Sequence, residues 1–123
     1  MIMSINKNKE DYGQKIDKES ELFVGKWKGN MATVGGFGTY EYTFEFKTDG
    51  SCSYSGRPVT NTWEPGISGE GTMWNYNSKT NTLVTDFEGV YNFEILSITK
   101  DSWTGRRLGV SVEIVGTFTK VVE

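Results

Sequence analysis

The chain of 123 residues has the length of one ordinary domain, and with 36% hydrophobic, 24% charged and 14% aromatic residues it is too apolar to remain disordered. Its 13 basic and 16 acidic residues give a net charge of -3, which offers no positive field to a phosphate backbone and sets nucleic acid aside as a partner. There is no His and Cys52 is alone, so disulfides, His-based metal sites, Ser-His triads and Cys-His dyads are excluded within the chain, and no metal or cofactor is expected.

Residues 1–21 carry Lys7, Lys9, Glu10, Asp11, Lys15, Asp17, Lys18, Glu19 and Glu21 without a sustained period and read as a charged, flexible tail preceding a domain at 22–123. Asp17 and Ser20 can each cap a short helical turn through Leu22 and Phe23, the two residues expected to tack that turn onto a core. No apolar run approaches the roughly 18 residues of a membrane span. The beginning of the chain is charged rather than signal-like, so cytoplasm is the literal location, with a trimmed secreted protein or lipoprotein as the alternative.

From Gly25 onward the apolar period is two. A first strand at 25–34 ends in Gly35-Gly36-Phe37-Gly38. The next, 39–47, alternates without a fault: Tyr40, Tyr42, Phe44 and Phe46 share one face, and Thr and Glu take the other, as in a half-buried antiparallel strand. Asp49-Gly50 then predicts a type I′ hairpin turn, and 51–56 returns. The long connection 57–66 holds both prolines and Trp63, and reads as a lid. A strand ending at Tyr76, the turn 77–81, and strands at 83–87, 90–99, 102–107 and 110–121 complete the chain, with turns at Glu88-Gly89, Lys100-Asp101 and Leu108-Gly109. Eight strands, with no helix long enough to interrupt them, predict an all-β fold: an eight-stranded up-and-down antiparallel β-barrel, with a two-sheet sandwich as the alternative.

Leu22-Phe23-Val24-Gly25-Lys26-Trp27-Lys28 resembles the Gly-x-Trp opening of the calycins, the lipocalins, fatty-acid-binding proteins and avidins. In that superfamily the first-strand Trp packs at the closed end against an Arg or Lys near the end of the last strand. The resemblance therefore implies that Trp27 meets Lys120, a cation–π contact worth roughly 0.5 to 2 kcal/mol. By alternation Lys120 shares the inward face with Val112, Ile114, Gly116 and Phe118, while Val115 and Val121 point outward, too few to define an oligomer interface. Val84-Thr85-Asp86-Phe87 looks like the Thr-Asp-Tyr signature of lipocalins, and the short chain is similar to small bacterial lipocalin-like domains. Gly35 to Gly38 leaves no room for the two helices of fatty-acid-binding proteins. Ser102-Trp103-Thr104 is similar to avidins, and Thr33 stands where they place a Ser, but their Asn two residues after the Trp is Gly29 here.

The resemblance implies a non-catalytic barrel that binds a small hydrophobic or amphipathic ligand. Inward residues near the open rim are expected to be Tyr40, Tyr42, Tyr54, Tyr91 and Trp63, apolar bodies with polar tips that orient a small molecule. Arg107 shares parity with Trp103 and Gly105, which aims its guanidinium inward for a ligand carboxylate; a bulge, solvent or a rim acid such as Glu88 are its alternative fates. Arg106 would face water. Two other readings stay open: a structural or protein-interaction barrel filled by these same rings, and an isomerase or cyclase using Tyr and Glu as acid and base. Cys52 is expected as a small inward residue, and Glu41, Glu45, Asp86, Glu88 and Glu94 as an outward, solvated set.

Overall fold

The computed structural model describes residues 18–33, 38–87 and 91–122. Residues 1–17 of the tail expected at 1–21, the Asp17 cap, the glycine turn at 35–37 and the Glu88-Gly89 turn lie outside the described residues, while residues 18–21 belong to a 3₁₀ turn. A 3₁₀ turn, Lys18–Phe23, precedes β1 (Gly25–Ala32), β2 (Thr39–Phe46), β3 (Cys52–Pro58), β4 (Ile67–Gly71), β5 (Trp74–Asn77), β6 (Thr82–Thr85), β7 (Phe93–Ile98), β8 (Ser102–Arg107) and β9 (Val115–Lys120). The fold is all-β and antiparallel, with the sheet order β4-β3-β2-β1-β9-β8-β7-β6-β5. The first and last strands meet as neighbours, pairing Trp27 with Lys120 and Lys28 with Thr119. The result is a nearly closed barrel with one seam, between β4 and β5.

Among the described residues there are nine strands where eight were expected. The predicted fourth strand breaks at Thr72-Met73, its first half pairing with β3 and its second with β6. The Asp86 carboxylate takes the place of a ladder partner at the break, accepting from the Thr72 amide at 3.2 Å, the Thr72 hydroxyl at 2.7 Å and the Met73 amide at 3.1 Å. The chain is thus bent where a continuous strand would have stayed in one ladder. Across the same gap the Trp74 amide donates to Gly50 O at 3.0 Å and its indole Nε1 donates to Lys47 O at 2.8 Å, so the β2–β3 turn holds the head of β5.

Alternation in β2 is as the sequence implies: Tyr40, Tyr42, Phe44 and Phe46 are all buried. Phe44 lies at the centre, stacked on Tyr42 and Phe46 along its own strand and edge-on to Phe93 at 5.8 Å and Phe118 at 5.3 Å from other walls. Below it Phe23, Trp27, Trp103 and Phe118 fill the base. Aromatic rings in mutual contact run through the barrel interior from base to mouth.

Several local expectations change. The Asp49-Gly50 hairpin is not a type I′ turn, because only Gly50 has positive φ, at 91°. Gly50 N donates to Lys47 O and Lys47 N to Ser51 O, the pattern of a type I turn closed by a left-handed glycine bulge. Asp49 favours this form by accepting from the Ser51 amide and hydroxyl. At the start of the domain Phe23 is buried but Leu22 is 52% exposed. Ser20 does not cap the turn; it is buried against β5, where it accepts from the Tyr76 amide at 3.1 Å and donates to the Tyr76 carbonyl. The last strand begins at Val115 rather than 110, so Val112 lies in the preceding loop, exposed rather than inward. A register shift between Ile95 and Ser97 exposes Leu96 and leaves β8 parity undisturbed.

Candidate functional site

The base of the barrel is sealed by the Gly-x-Trp segment. Gly25 has φ 131°, a conformation that strains an L side chain, and a Cβ there would lie 2.6 Å from Lys120 Cε. The space left by that missing Cβ lets Lys120 fold over the Trp27 ring, with Nζ 4.9 Å from its centroid, and donate to Val24 O at 2.8 Å. Trp27 Nε1 donates to Phe23 O at 2.8 Å, tying the 3₁₀ turn to the first strand.

The opposite end holds the last residues of β1, β3, β6 and β8. Here a cleft of about 330 Å³ is lined by Thr33, Tyr40, Tyr42, Glu64, Ile67, Tyr91 and Arg107. Tyr40 and Tyr42 reach it because they occupy the inward positions of β2, and Arg107 because it ends the inward row Trp103, Gly105, Arg107 of β8. Arg107 is only 8% exposed, and its guanidinium carbon sits 4.5 Å from the centre of the Tyr91 ring. Arg106 faces outward to Glu94 and Glu113, at 3.3 and 3.4 Å. Tyr91 packs edge-on to Tyr42 at 5.8 Å, and Tyr54, half-buried, stands behind it at 4.8 Å without lining the cleft.

Two expected positions therefore separate from the rest. Tyr54 supports the wall, and Trp63 is 80% exposed instead of facing inward. The reason for the second is local: Glu64 N donates to Asn61 O at 2.9 Å, forming a turn that throws Trp63 outward and swings Glu64 over the cleft. The loop is anchored by Tyr40, whose hydroxyl donates to Pro65 O at 3.1 Å, by Val59 N donating to Thr39 O, and by the Thr60 hydroxyl accepting from Thr39 N. Glu64 and Ile67 were not singled out in the sequence. Adjacent residues of a turn face opposite ways, so choosing Trp63 as the inward member excluded Glu64.

The electrostatics of the cleft follow from burial. Desolvation pushes the Tyr91 hydroxyl up to about 12, and Tyr42 is raised for the same reason. Both phenols stay protonated at neutral pH and can donate hydrogen bonds, beside one buried guanidinium and one carboxylate. Tyr40 is raised first by burial and then by the charge of Glu64. The Cys52 thiol is buried away from this end and pushed up to about 12 by desolvation, which leaves it a poor nucleophile. Among the described residues no group of His, Cys, Asp and Glu could hold a metal ion.

Fold and site together define an antiparallel β-barrel with a sealed aromatic base and a polar-lined cleft at its mouth. No protein-family model matches the sequence, and no curated protein matches it. Among solved structures the chain is similar to a redesigned beta barrel, with a TM-score of 0.56 at 14% sequence identity, covering 88% of this chain and 99% of that one. At that identity the likeness is one of fold alone.

Proposed function

We propose that the protein is a non-catalytic binder of a small amphipathic molecule, held in the open-end cleft of a lipocalin-like, calycin-type barrel. The observation that carries this reading is the convergence of Tyr40, Tyr42, Tyr91 and Arg107 on one cleft of about 330 Å³, above an interior already filled by rings. That volume lies near the low end of small-molecule pockets, roughly 300 to 1,000 Å³, and suits a ligand of one or two rings better than a long acyl chain. Phenol faces exclude water from the apolar body, and the Arg107 guanidinium receives an anionic end. The Trp27–Lys120 contact supports the calycin comparison.

Titration with the fluorescent anion 1-anilinonaphthalene-8-sulfonate tests it. Saturable, one-to-one enhancement on the native protein is expected. Arg107→Lys should weaken that anion by about tenfold while leaving a neutral naphthylamine probe within about twofold, since only the planar fork pairs bidentately. No saturable uptake of either probe would end this reading in favour of a filled structural barrel. That second reading draws on the continuous ring packing around Phe44 and on the outward Trp63.

A further inference from the structure

We infer that the Tyr42 hydroxyl is the specificity-determining donor of the mouth cleft, and that the ligand is a flat apolar molecule that sets a carbonyl oxygen against it; the inference rests on the cleft being a ligand site and is independent of the charge its ligand carries. The hydroxyls lining that cleft are those of Thr33, Tyr40, Tyr42 and Tyr91. All but one of them donate within the protein. Thr33 donates to Gly38 O at 3.1 Å and Tyr40 to Pro65 O at 3.1 Å. Tyr91 packs between Tyr42 and Tyr54, with ring centroids 5.8 and 4.8 Å from its own, and is hydrogen-bonded to both.

The direction of those two bonds follows from how each phenol responds to them. Desolvation raises both Tyr42 and Tyr91, but the bond they share favours the Tyr42 phenolate and opposes that of Tyr91, as it must when Tyr91 is the donor. The bond with Tyr54 favours the Tyr91 phenolate, so Tyr54 donates to Tyr91. The phenols therefore form a row from Tyr54 through Tyr91 to Tyr42, in which each donor polarises the next. The last proton of the row, that of Tyr42, has no acceptor among the described residues. Tyr42 is only 2% exposed, and a donor so deeply buried is costly to leave unpaired. The cleft it lines is where an acceptor can reach it. The Tyr40 and Tyr91 rings, 6.2 and 5.8 Å from that of Tyr42, suit a flat body, and a carbonyl conjugated to that body presents in-plane lone pairs to a single O–H.

Infrared spectroscopy with acetophenone isotopically labelled at its carbonyl reads this contact directly, and α-methylstyrene, which has a methylene in place of the oxygen, is the matched control. Bound to the wild-type protein, the carbonyl band should lie below its position in hexane, and in Tyr42→Phe it should return toward that position. By NMR titration the ketone should lose about tenfold in affinity in Tyr42→Phe, while α-methylstyrene stays within about twofold. Equal losses for the two compounds, or the same band position in wild type and variant, would overturn the assignment. A wild-type band at the hexane position would overturn it too, and that measurement needs no variant to fold. No saturable uptake of either compound also overturns it; retained uptake of the anilinonaphthalene probe would then leave the binding function standing, and its loss would remove both.

Discussion

Single side chains explain how this barrel begins and ends. Ser20 is fully buried and gives one hydroxyl to both the amide and the carbonyl of Tyr76 on β5, a strand with a ladder on one side only. Replacing Ser20 with Ala leaves that amide buried without its acceptor, so urea unfolding should show a loss of about 1 to 3 kcal/mol, far more than the removal of an oxygen from a surface turn. The sequence suggested Ser20 as a cap because Ser favours helix starts. Its true partner lies 56 residues away, which no local pattern encodes. The meeting of Trp27 with Lys120 was readable from the resemblance of the Gly-x-Trp segment to calycins, and the inward parity of Arg107 from strand alternation. Glu64 was not, because the hydrogen bond that orients it depends on how the loop docks against Tyr40.

Among the elements the fourth strand carries the main departure from expectation. The inward positions are 67, 69 and 71 in β4 but 74 and 76 in β5, so the alternation slips by one residue at Thr72-Met73, where Asp86 closes on both amides from another part of the sheet. The Thr72 hydroxyl, first among its hydrogen-bond donors, holds the Asp86 carboxyl below its ordinary value of 3.8. A carboxylate with a lowered folded value contributes stability that is complete above the unfolded value and is lost as pH falls through the folded one. Asp86→Asn should therefore lower the urea midpoint at pH 7, and the gap between variant and wild type should narrow at pH 3. Asp49 is lowered in the same sense by Ser51 and titrates in both proteins, so the difference between them isolates Asp86. A gap that stays constant from pH 7 to pH 3 would show that the carboxylate charge does not hold the seam.

Over the whole molecule, the rings of β2 join β3, β5, β7 and β9 into one core. Phe44 touches rings from β2, β3, β7 and β9 as well as Phe87 and Tyr91. Phe44→Ala should cost about 3 to 5 kcal/mol by chemical denaturation, and a transition followed by tryptophan fluorescence should coincide with one followed by circular dichroism, because the ring links the aromatic contacts of the base to those of the mouth through Phe118, Phe93 and Tyr91. The barrel class was legible from uninterrupted period-two patterning and turn spacing. The division between packed base and open mouth was not, since an eight-residue aromatic strand reads the same whether its rings meet each other or a ligand.

The pairing of β1 with β9 also settles where the covalent ends of the barrel fall. Val121 N donates to Lys26 O at 2.8 Å, so the chain leaves the last strand beside the point at which it entered the first. A circular permutant, with residues near Val24 and Val121 bridged by a short Gly-Ser tether and new termini opened in the exposed turn at 78–80, would keep every ladder and carry both ends far from the rim that holds the Tyr40–Arg107 cleft.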